Sequence, residues 1–521
     1  MAKQSAATKP TSVVDQFEST APAEDISRPT EELVIGMVGA VGAGVSRSAL
    51  ELKSILETDY GYSVEILKAS DLIRENAAKT SKGSPSLSGS DRIKDLQAVG
   101  TYLRDSFGED YIAAKAIEKI AIQRKVGGGY DEEKQVPQPK RLRQATIIDS
   151  LKHPKETKLL RRVYGGIYWQ FTVFAPEVVR EARLRSQGIE KDELSGIFTR
   201  DENDKEGDHG QKVSKTAYLS DFFVRNDGEN DTRLKSVIER YLEIVFNISV
   251  HTPTTDEAGM YAAVSAASKS ACLSRQVGAA IYSEDGELIS VGWNDVPKAL
   301  GGLYSVEDGE DDHRCYLWGG KLCHNDRKKE ELYEKIFKKL SDNGLLVKGA
   351  NKNGLRAALI ETPVKDLIEY SRSIHAEMEA IVSAGRAGKT GMVGGTLYTT
   401  TFPCHNCARH IVAAGIATVY YVEPYAKSLA LDLHSDSIGT TTDGKSKKVA
   451  FLQYEGVGPD SVLKLFHHGI ERKIDGRASV ADKKNALPVL PPPMDGFTTH
   501  EKRVIHHIES VEQRPDDKQA G

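Results

Sequence analysis

The sequence predicts an α/β protein of two successive units, each a sheet with helices packed on its faces. Three observations carry that expectation. Short β-rich runs such as LVIGMVG, ATIIDS and YWQFTVFA alternate with amphipathic helical stretches as far as residue 250, the pattern of a parallel sheet built from crossover units. From residue 255 the alternation begins again with an antiparallel pair, QVGAAIY and ELISVGWN, joined by the turn-forming SEDGE. A chain of 521 residues is also too long for one core, so two or three domains are expected.

The elements follow in order. Residues 1–30, rich in Ser, Thr, Ala and Pro, are expected to be disordered. The first domain, 31–250, opens with the strand LVIGMVG, a helix over 46–56 and the strand YSVEILKA. One helical stretch is expected over 93–122, then strands ATIIDS and YWQFTVFA, a helix from Pro176, the strand DFFVRN and the closing helix TRLKSVIERYLEIVFNI. The stretches 79–90 and 127–140 read as loops. The second domain, 251–474, starts at a capping box formed by Thr254 and Glu257. After the antiparallel pair comes an acidic, loop-rich insertion over 295–370. Helix and strand then alternate through IHAEMEAIVSAG, GTLYTTTF, CHNCARHIVAAG and ATVYYVEP, with KKVAFLQYEG as the last strand. Residues 475–521, containing NALPVLPPPMDG, read as a mobile tail in which THEKRVIHHIES can form a short docking helix.

Composition excludes several classes. No apolar run approaches the roughly 20 residues that cross a bilayer, and the N-terminus has no apolar signal core, so a cytoplasmic protein without membrane partners is expected. A formal net charge of -5 argues against a long nucleic acid as substrate. Five cysteines are an odd count, which in a reducing compartment suits metal ligation better than a disulfide framework.

The chemistry is concentrated in His375-Ala-Glu377 and Pro403-Cys404-His-Asn-Cys407. One imidazole and two thiolates supply the three protein ligands of a catalytic zinc, leaving its fourth position for water. Glu377, two residues from the histidine, is placed to be the general acid–base. The spacing is the H-x-E…P-C-x-x-C signature of zinc-dependent hydrolytic deaminases. Inside the insertion, His313, Cys315, Cys323 and His324 offer a possible second, structural zinc set. The paired histidines at 467–468 and 506–507 read as solvent-facing.

Gly39, Ala40, Val41, Gly42, Ala43, Gly44, Val45 and Ser46 match a phosphate-binding loop at every defined position except the lysine, replaced by Val45. A strand precedes the loop and a helix follows it. Its N–H groups suit phosphate, and Ser46 suits the magnesium of a bound nucleoside triphosphate. Asp149 is a candidate second carboxylate on the magnesium side. Arg183 or Arg185, on a later lid-like helix, are candidates to replace the missing ammonium, whereas Arg47 points elsewhere. The loop is expected to bind a nucleotide and not to transfer phosphate efficiently.

The segments ASKSACLSRQVGAAIYSEDGELISVGWNDVP, RSIHAEMEAI, TTTFPCHNCARHI and VYYVEPYAKSLALDLHSDSI resemble the deoxycytidylate deaminase family over most of 255–460. The resemblance implies a cytidine-deaminase-like α/β/α second domain and assigns Asn294 to the sugar of the bound nucleotide. Trp293 and Asp295 depart from the family's usual G-Y-N-G. With IIDSLKHPKETKLLRRVYG behind the loop strand, the whole plan is similar to the anti-phage dCTP deaminases, over roughly 31–470. That likeness implies an N-terminal P-loop kinase-like three-layer domain with a parallel sheet. It further implies conversion of dCTP and dCMP to dUTP and dUMP in antiviral defence. A homo-oligomer, and an inhibitor or activator of unknown type, are the implied partners. Two alternatives keep different parts of this reading. One is a zinc deaminase acting on a base in tRNA or single-stranded DNA, which requires a basic, aromatic groove; the other is a nucleotide-sensing regulatory protein.

Overall fold

The computed structural model describes residues 30–127, 130–131, 136–137, 142–203, 210–228, 231–425, 428–441, 447–467, 472–489, 505, 508–509 and 512. The expectations for residues 1–29, for most of 127–140, for the proline run after 489 and for His468, His506 and His507 lie outside the described residues.

The first sheet contains β1 (Leu33–Val38), β2 (Ser63–Lys68), β3 (Gln144–Leu151), β4 (Tyr168–Phe174) and β5 (Phe222–Arg225), all parallel, in the order β2-β3-β1-β4-β5. β1 and β4 are buried along their whole length, as central strands covered on both faces must be. Alternate residues of β1 feed two different cores. Leu33, Ile35 and Met37 pack with α1 (Val45–Thr58) and α8 (Asp231–Val245). Val34 and Val38 pack with α2 (Ala69–Asn76), α3 (Gly89–Phe107), α4 (Tyr111–Val126) and α5 (Pro154–Tyr164). The period of two along one strand therefore makes three layers. α6 (Glu177–Ser186) and α7 (Lys191–Asn203) lie beside the loop that follows β1.

The second sheet has the order β10-β11-β9-β8-β6-β7, from β6 (Gly278–Tyr282), β7 (Leu288–Trp293), β8 (Thr396–Thr401), β9 (Thr418–Glu423), β10 (Ile438–Gly439) and β11 (Val449–Gln453). β6 is antiparallel to both β7 and β8, whereas β8, β9 and β11 are parallel. α9 (Thr255–Ala267) covers one face. α12 (Ala376–Arg386) and α13 (His405–Ala413) cover the other, so this unit too has an α/β/α layering. Ala279 and Ile281 face the second pair of helices, while Ala280 faces Met260 of α9.

Four expectations need correction. The stretch expected as one helix over 93–122 is two, α3 and α4, because Gly108 at φ 117 ends the first. The insertion is not mainly loop: it carries α10 (His324–Asp342) and α11 (Lys352–Ile360). α10 carries an apolar stripe of Leu332, Tyr333, Ile336, Phe337 and Leu340 at helical spacing, of which only Tyr333 is fully buried, and is laced by Arg327–Glu331 and Lys328–Glu331 pairs. The second domain does not keep to itself after β11. β12 (Gly456–Val457) pairs antiparallel with β5, adding a sixth strand to the first sheet. Nor is the whole tail from 475 free. Val489 N–H donates to Val245 O at 2.7 Å, Arg143 donates to Lys483 O at 2.9 Å, and Ala486 and Val489 enter the first core. Further on, Ile508 is buried against α4, and Glu512 accepts from Tyr111 Oη at 2.7 Å. The contact at Ile508 falls where THEKRVIHHIES is expected to dock, whereas the isolated apolar residues of 483–489 reveal no periodicity, which is why sequence alone misses their docking.

The two sheets share a core. Phe174 and Phe223 of the first pack with Met260, Tyr398, Val422 and Tyr454 of the second.

Candidate active site

The zinc-type set is built from two helix starts. His375 is the N-cap of α12 and Cys404 the N-cap of α13, with Cys407 in the latter's first turn. α12 reaches this place because Gly292 of β7 has no side chain: a Cβ there would stand 2.2 Å from Ala376 O and 2.4 Å from Ala380 N. His375 Nδ1 lies 3.2 Å from Cys407 Sγ and 3.4 Å from Cys404 Sγ, and the three ligand atoms fall within 4.8 Å of one another. Zinc bonds of roughly 2.0–2.3 Å at tetrahedral angles place donor atoms about 3.5 Å apart, so the donor set fits the ion. The thiol of Cys404 is depressed to about 4, chiefly by the hydrogen bond from Cys407 and then by the neighbouring His375.

Glu377 lies in the first turn of α12, two residues beyond His375, and is 4% exposed, with its Oε2 accepting from Cys407 Sγ at 3.4 Å. Burial pushes its carboxyl above the usual range, against the pull of His375. Both residues line a cavity of about 240 Å³ whose wall also includes Asn294, Phe402 and Tyr425. Asn294 is placed at that wall, but its amide already clamps the preceding loop. Its Oδ1 accepts from Val277 N–H at 2.7 Å and its Nδ2 donates to Arg275 O at 2.9 Å. One N–H and one lone pair remain for a ligand.

Asp295 explains its departure from G-Y-N-G. It is buried, accepts from Ala271 and Val296 N–H at 2.9 Å each, and lies 3.6 Å from Arg314, so it ties the insertion to the cavity wall. Trp293 is covered by Lys269.

The second zinc set does not assemble. Trp318 packs against the imidazoles of both His313 and His324, His313 is beside Tyr304 Oη, and Cys323 Sγ is 3.9 Å from Ser274 Oγ. Aromatic packing thus occupies the histidines. Among the described residues, His375, Cys404 and Cys407 form the one group of three or more ligand atoms close enough for a metal.

The glycine-rich loop has the backbone its sequence implies. Gly44, the N-cap of α1, has φ 86, and a Cβ there would meet Asn226 Nδ2 at 2.2 Å. Ser46 Oγ donates to Asp149 Oδ2 at 2.6 Å, which brings together the two magnesium-side candidates. Val45 is 7% exposed and belongs to the first core, so the position of the missing lysine is a packing position. Of the two arginines considered on α6, Arg183 reaches the loop, donating to Gly42 O and Ala43 O at 3.3 and 3.2 Å. Burial lowers its pKa, with Arg47 nearby adding to the effect.

Two residues invisible to motif reading also hold this loop. Lys152 Nζ donates to Gly39 O and to Asp201 Oδ1, both at 2.8 Å. Asp201, fully buried on α7, accepts from Val41 N–H at 2.6 Å through its other oxygen. A carboxylate thus sits on the glycine-rich loop, and a lysine just after β3 stands at the loop's base. The sequence offered no signal for either, since neither has a fixed spacing from the loop.

Residues 253–423 match the model of the cytidine and deoxycytidylate deaminase zinc-binding region. Among curated proteins, ComE operon protein 2 of Bacillus subtilis (strain 168) is 44% identical over 64 residues, covering 11% of this chain and 33% of that protein. The deoxycytidylate deaminase of Enterobacteria phage T4 is 44% identical over 55 residues, covering 11% and 28%. The chain therefore spans about a third of the length of the curated relatives it matches. Among solved structures, the dCMP deaminase from cyanophage S-TIM5 in complex with dCMP and dUMP is 18% identical, covering 39% of this chain and 99% of that one, at a TM-score of 0.23. Shikimate kinase from Bacteroides thetaiotaomicron is 14% identical, covering 41% and 97%, at 0.24. TM-scores this low establish neither a shared ligand nor a shared activity.

Proposed function

We propose that this chain, which carries a cytidine/deoxycytidylate deaminase domain, hydrolyses deoxycytidine nucleotides, taking dCTP and dCMP to dUTP and dUMP with release of ammonia. The observation that carries the reading is Glu377, a buried carboxylate beside a His–Cys–Cys set at the wall of a cavity. When bound, zinc supplies a Lewis acid that brings the pKa of a water close to neutrality. Glu377 takes a proton from the attacking water and passes it to N3 of the ring as the C4–O bond forms. It then takes the remaining proton from the new C4 hydroxyl and gives it to the amino group as the C4–N bond breaks and C4=O forms, so one water enters and one ammonia leaves. A carboxyl raised by burial is suited to hold the proton between those events. Phe402 and Tyr425 give the cavity an apolar wall for a pyrimidine, and Asn294 offers its remaining N–H and lone pair to the deoxyribose. The names of the phage relatives support the deoxycytidine substrate.

The N-terminal loop, in this reading, binds a nucleoside triphosphate with magnesium through Ser46 and Asp149 and regulates deamination. The antiviral role, depletion of the deoxycytidine nucleotide pool in an infected cytoplasm, rests on the resemblance of the two-domain plan. So do the homo-oligomer and an inhibitor or activator. The test is to follow deaminated product from dCTP, dCMP and a cytosine-containing oligonucleotide, with Glu377→Ala as control. Turnover of the oligonucleotide alone sinks the reading.

A further inference from the structure

We infer that Asp295, backed by Arg314 of the insertion, is a positioning residue for the substrate: it fixes the loop over 270–277 and, through it, the Asn294 amide that meets the sugar of a deoxycytidine nucleotide. The inference rests on the deaminase reading and deepens it. Ala271, Arg275, Val277, Asn294 and Asp295 all line the cavity that holds His375 and Glu377.

The loop over 270–277, between α9 and β6, has no regular secondary structure, so its N–H and C=O groups need partners from outside a helix or sheet ladder. Two consecutive residues after β7 supply them. Asn294 holds the far end, since its Oδ1 accepts from Val277 N–H at 2.7 Å and its Nδ2 donates to Arg275 O at 2.9 Å. Its own carbonyl accepts from Ser270 Oγ at 2.6 Å. Asp295 holds the near end, with Oδ2 accepting from Ala271 N–H and Oδ1 from Val296 N–H, both at 2.9 Å. Its carbonyl accepts from Ile374 N–H at 3.0 Å, one residue before His375. Asp295 thus joins the substrate wall to the chain that carries a metal ligand.

A carboxylate 1% exposed needs a cation, and Arg314 is placed 3.6 Å away to be one. Arg314 is itself fixed, because its Nε and Nη2 fork onto Asp312 at 2.9 and 2.6 Å. It does not line the cavity, so its influence on a ligand passes through Asp295. A glycine at 295, as in the usual G-Y-N-G, has no side chain to make this tie. The departure therefore lets the insertion brace the substrate wall. Contacts made by a fixed wall act on bound substrate and transition state alike, so loosening it raises KM more than it lowers kcat.

The experiment uses the full-length zinc-loaded protein in four forms: wild type, Asp295→Asn, Arg314→Met and Arg314→Lys. It measures kcat and KM for dCMP and dCTP, Kd for dUMP by calorimetry, zinc content, Tm and amide exchange over 270–277. Asp295→Asn and Arg314→Met are expected to raise KM for both substrates, and Kd for dUMP, by about tenfold with kcat changed less than about threefold. Zinc is retained and the Ala271 amide exchanges faster. Arg314→Lys keeps the charge and is expected to raise KM by only about threefold. A lower Tm with KM and dUMP affinity unchanged makes the tie merely structural and overturns the inference. So does a fall in kcat at constant KM, or a loss of zinc. Where the two harsher variants do not fold, Arg314→Lys decides, and an unchanged KM overturns the inference. If the wild type turns over no nucleotide, the deaminase reading falls, while exchange at Ala271 still decides whether Asp295 and Arg314 hold this wall.

Discussion

Arg240 of α8 and Glu257 of α9 form a two-pronged ion pair across the junction of the two sheets, with Nη1–Oε1 at 2.7 Å and Nη2–Oε2 at 2.8 Å. The same carboxylate accepts from Val457 N–H at 2.9 Å and caps α9 through Thr254 N–H at 2.8 Å. Glu257 is therefore at once a helix cap, a salt-bridge partner and the anchor of β12. Replacing it with Ala should cost about 2–4 kcal/mol, because one buried N–H loses its acceptor and a cap is lost with it. Glu257→Gln should cost less. Equal thermal midpoints for wild type and Glu257→Ala would remove the junction from any account of stability.

Glu377→Ala should lower kcat for dCMP by roughly 10²–10⁴-fold, the range for loss of a general acid–base. Metal analysis should still find zinc bound to this variant, since Glu377 is outside the donor set. Cys407→Ser, by contrast, should lose the metal. A Glu377→Ala protein that had also lost zinc would make Glu377 a structural residue.

Ser46→Ala and Lys152→Ala should each weaken binding of a magnesium nucleoside triphosphate by about tenfold, the scale of one charge-assisted hydrogen bond. Titration calorimetry on the full chain measures this. Asp201→Asn should act in the opposite direction, because it removes a carboxylate from Val41 N–H and frees Lys152. Unchanged affinity in all three would separate the loop from nucleotide binding.

Restoring the consensus lysine by Val45→Lys should destabilise the first domain by about 2 kcal/mol or more, since a core side chain is exchanged for a charge. A stable Val45→Lys protein with stronger nucleotide binding would show that position 45 opens toward the ligand after all. Urea unfolding and calorimetry read the two outcomes separately.

His153 provides a pH dependence. Its Nδ1 accepts from Lys155 N–H as the N-cap of α5, and burial lowers its pKa below the usual 6.5. The unfolded chain then binds the proton more readily than the folded one. The stabilisation is fully present above the unfolded pKa and declines as pH falls through it toward the folded value. Thermal midpoints between pH 7.5 and 5 should therefore drop more for wild type than for His153→Asn, which keeps a cap without titrating there. Parallel curves would assign the acid sensitivity elsewhere.

Legibility varied with the range over which each feature is encoded. Strand–helix alternation, the loop glycines and the grouping of His375, Cys404 and Cys407 were readable because each depends on local period or spacing. A histidine before one helix and a Cys-x-x-Cys opening the next already imply two helix starts that can face one ion. α10 is legible too, in the helical spacing of Leu332, Tyr333, Ile336, Phe337 and Leu340, but the acidic and glycine-rich segments on either side give the insertion as a whole the composition of a loop.

The sequence by itself determined two α/β units, the grouping of a histidine and two cysteines with an adjacent carboxylate, and a glycine-rich loop between strand and helix that has valine where the phosphate-binding pattern has lysine. Tertiary structure decided that Val45 is core, that Asp201 and Lys152 meet at the loop, and that Gly456, Val457, Ala486 and Val489 return to the first unit. It also decided that Cys315 and His324 of the insertion line the same cavity as Glu377. The physical reason is common to these four. Each depends on which distant groups are brought together and removed from water, and no local pattern along the chain records that.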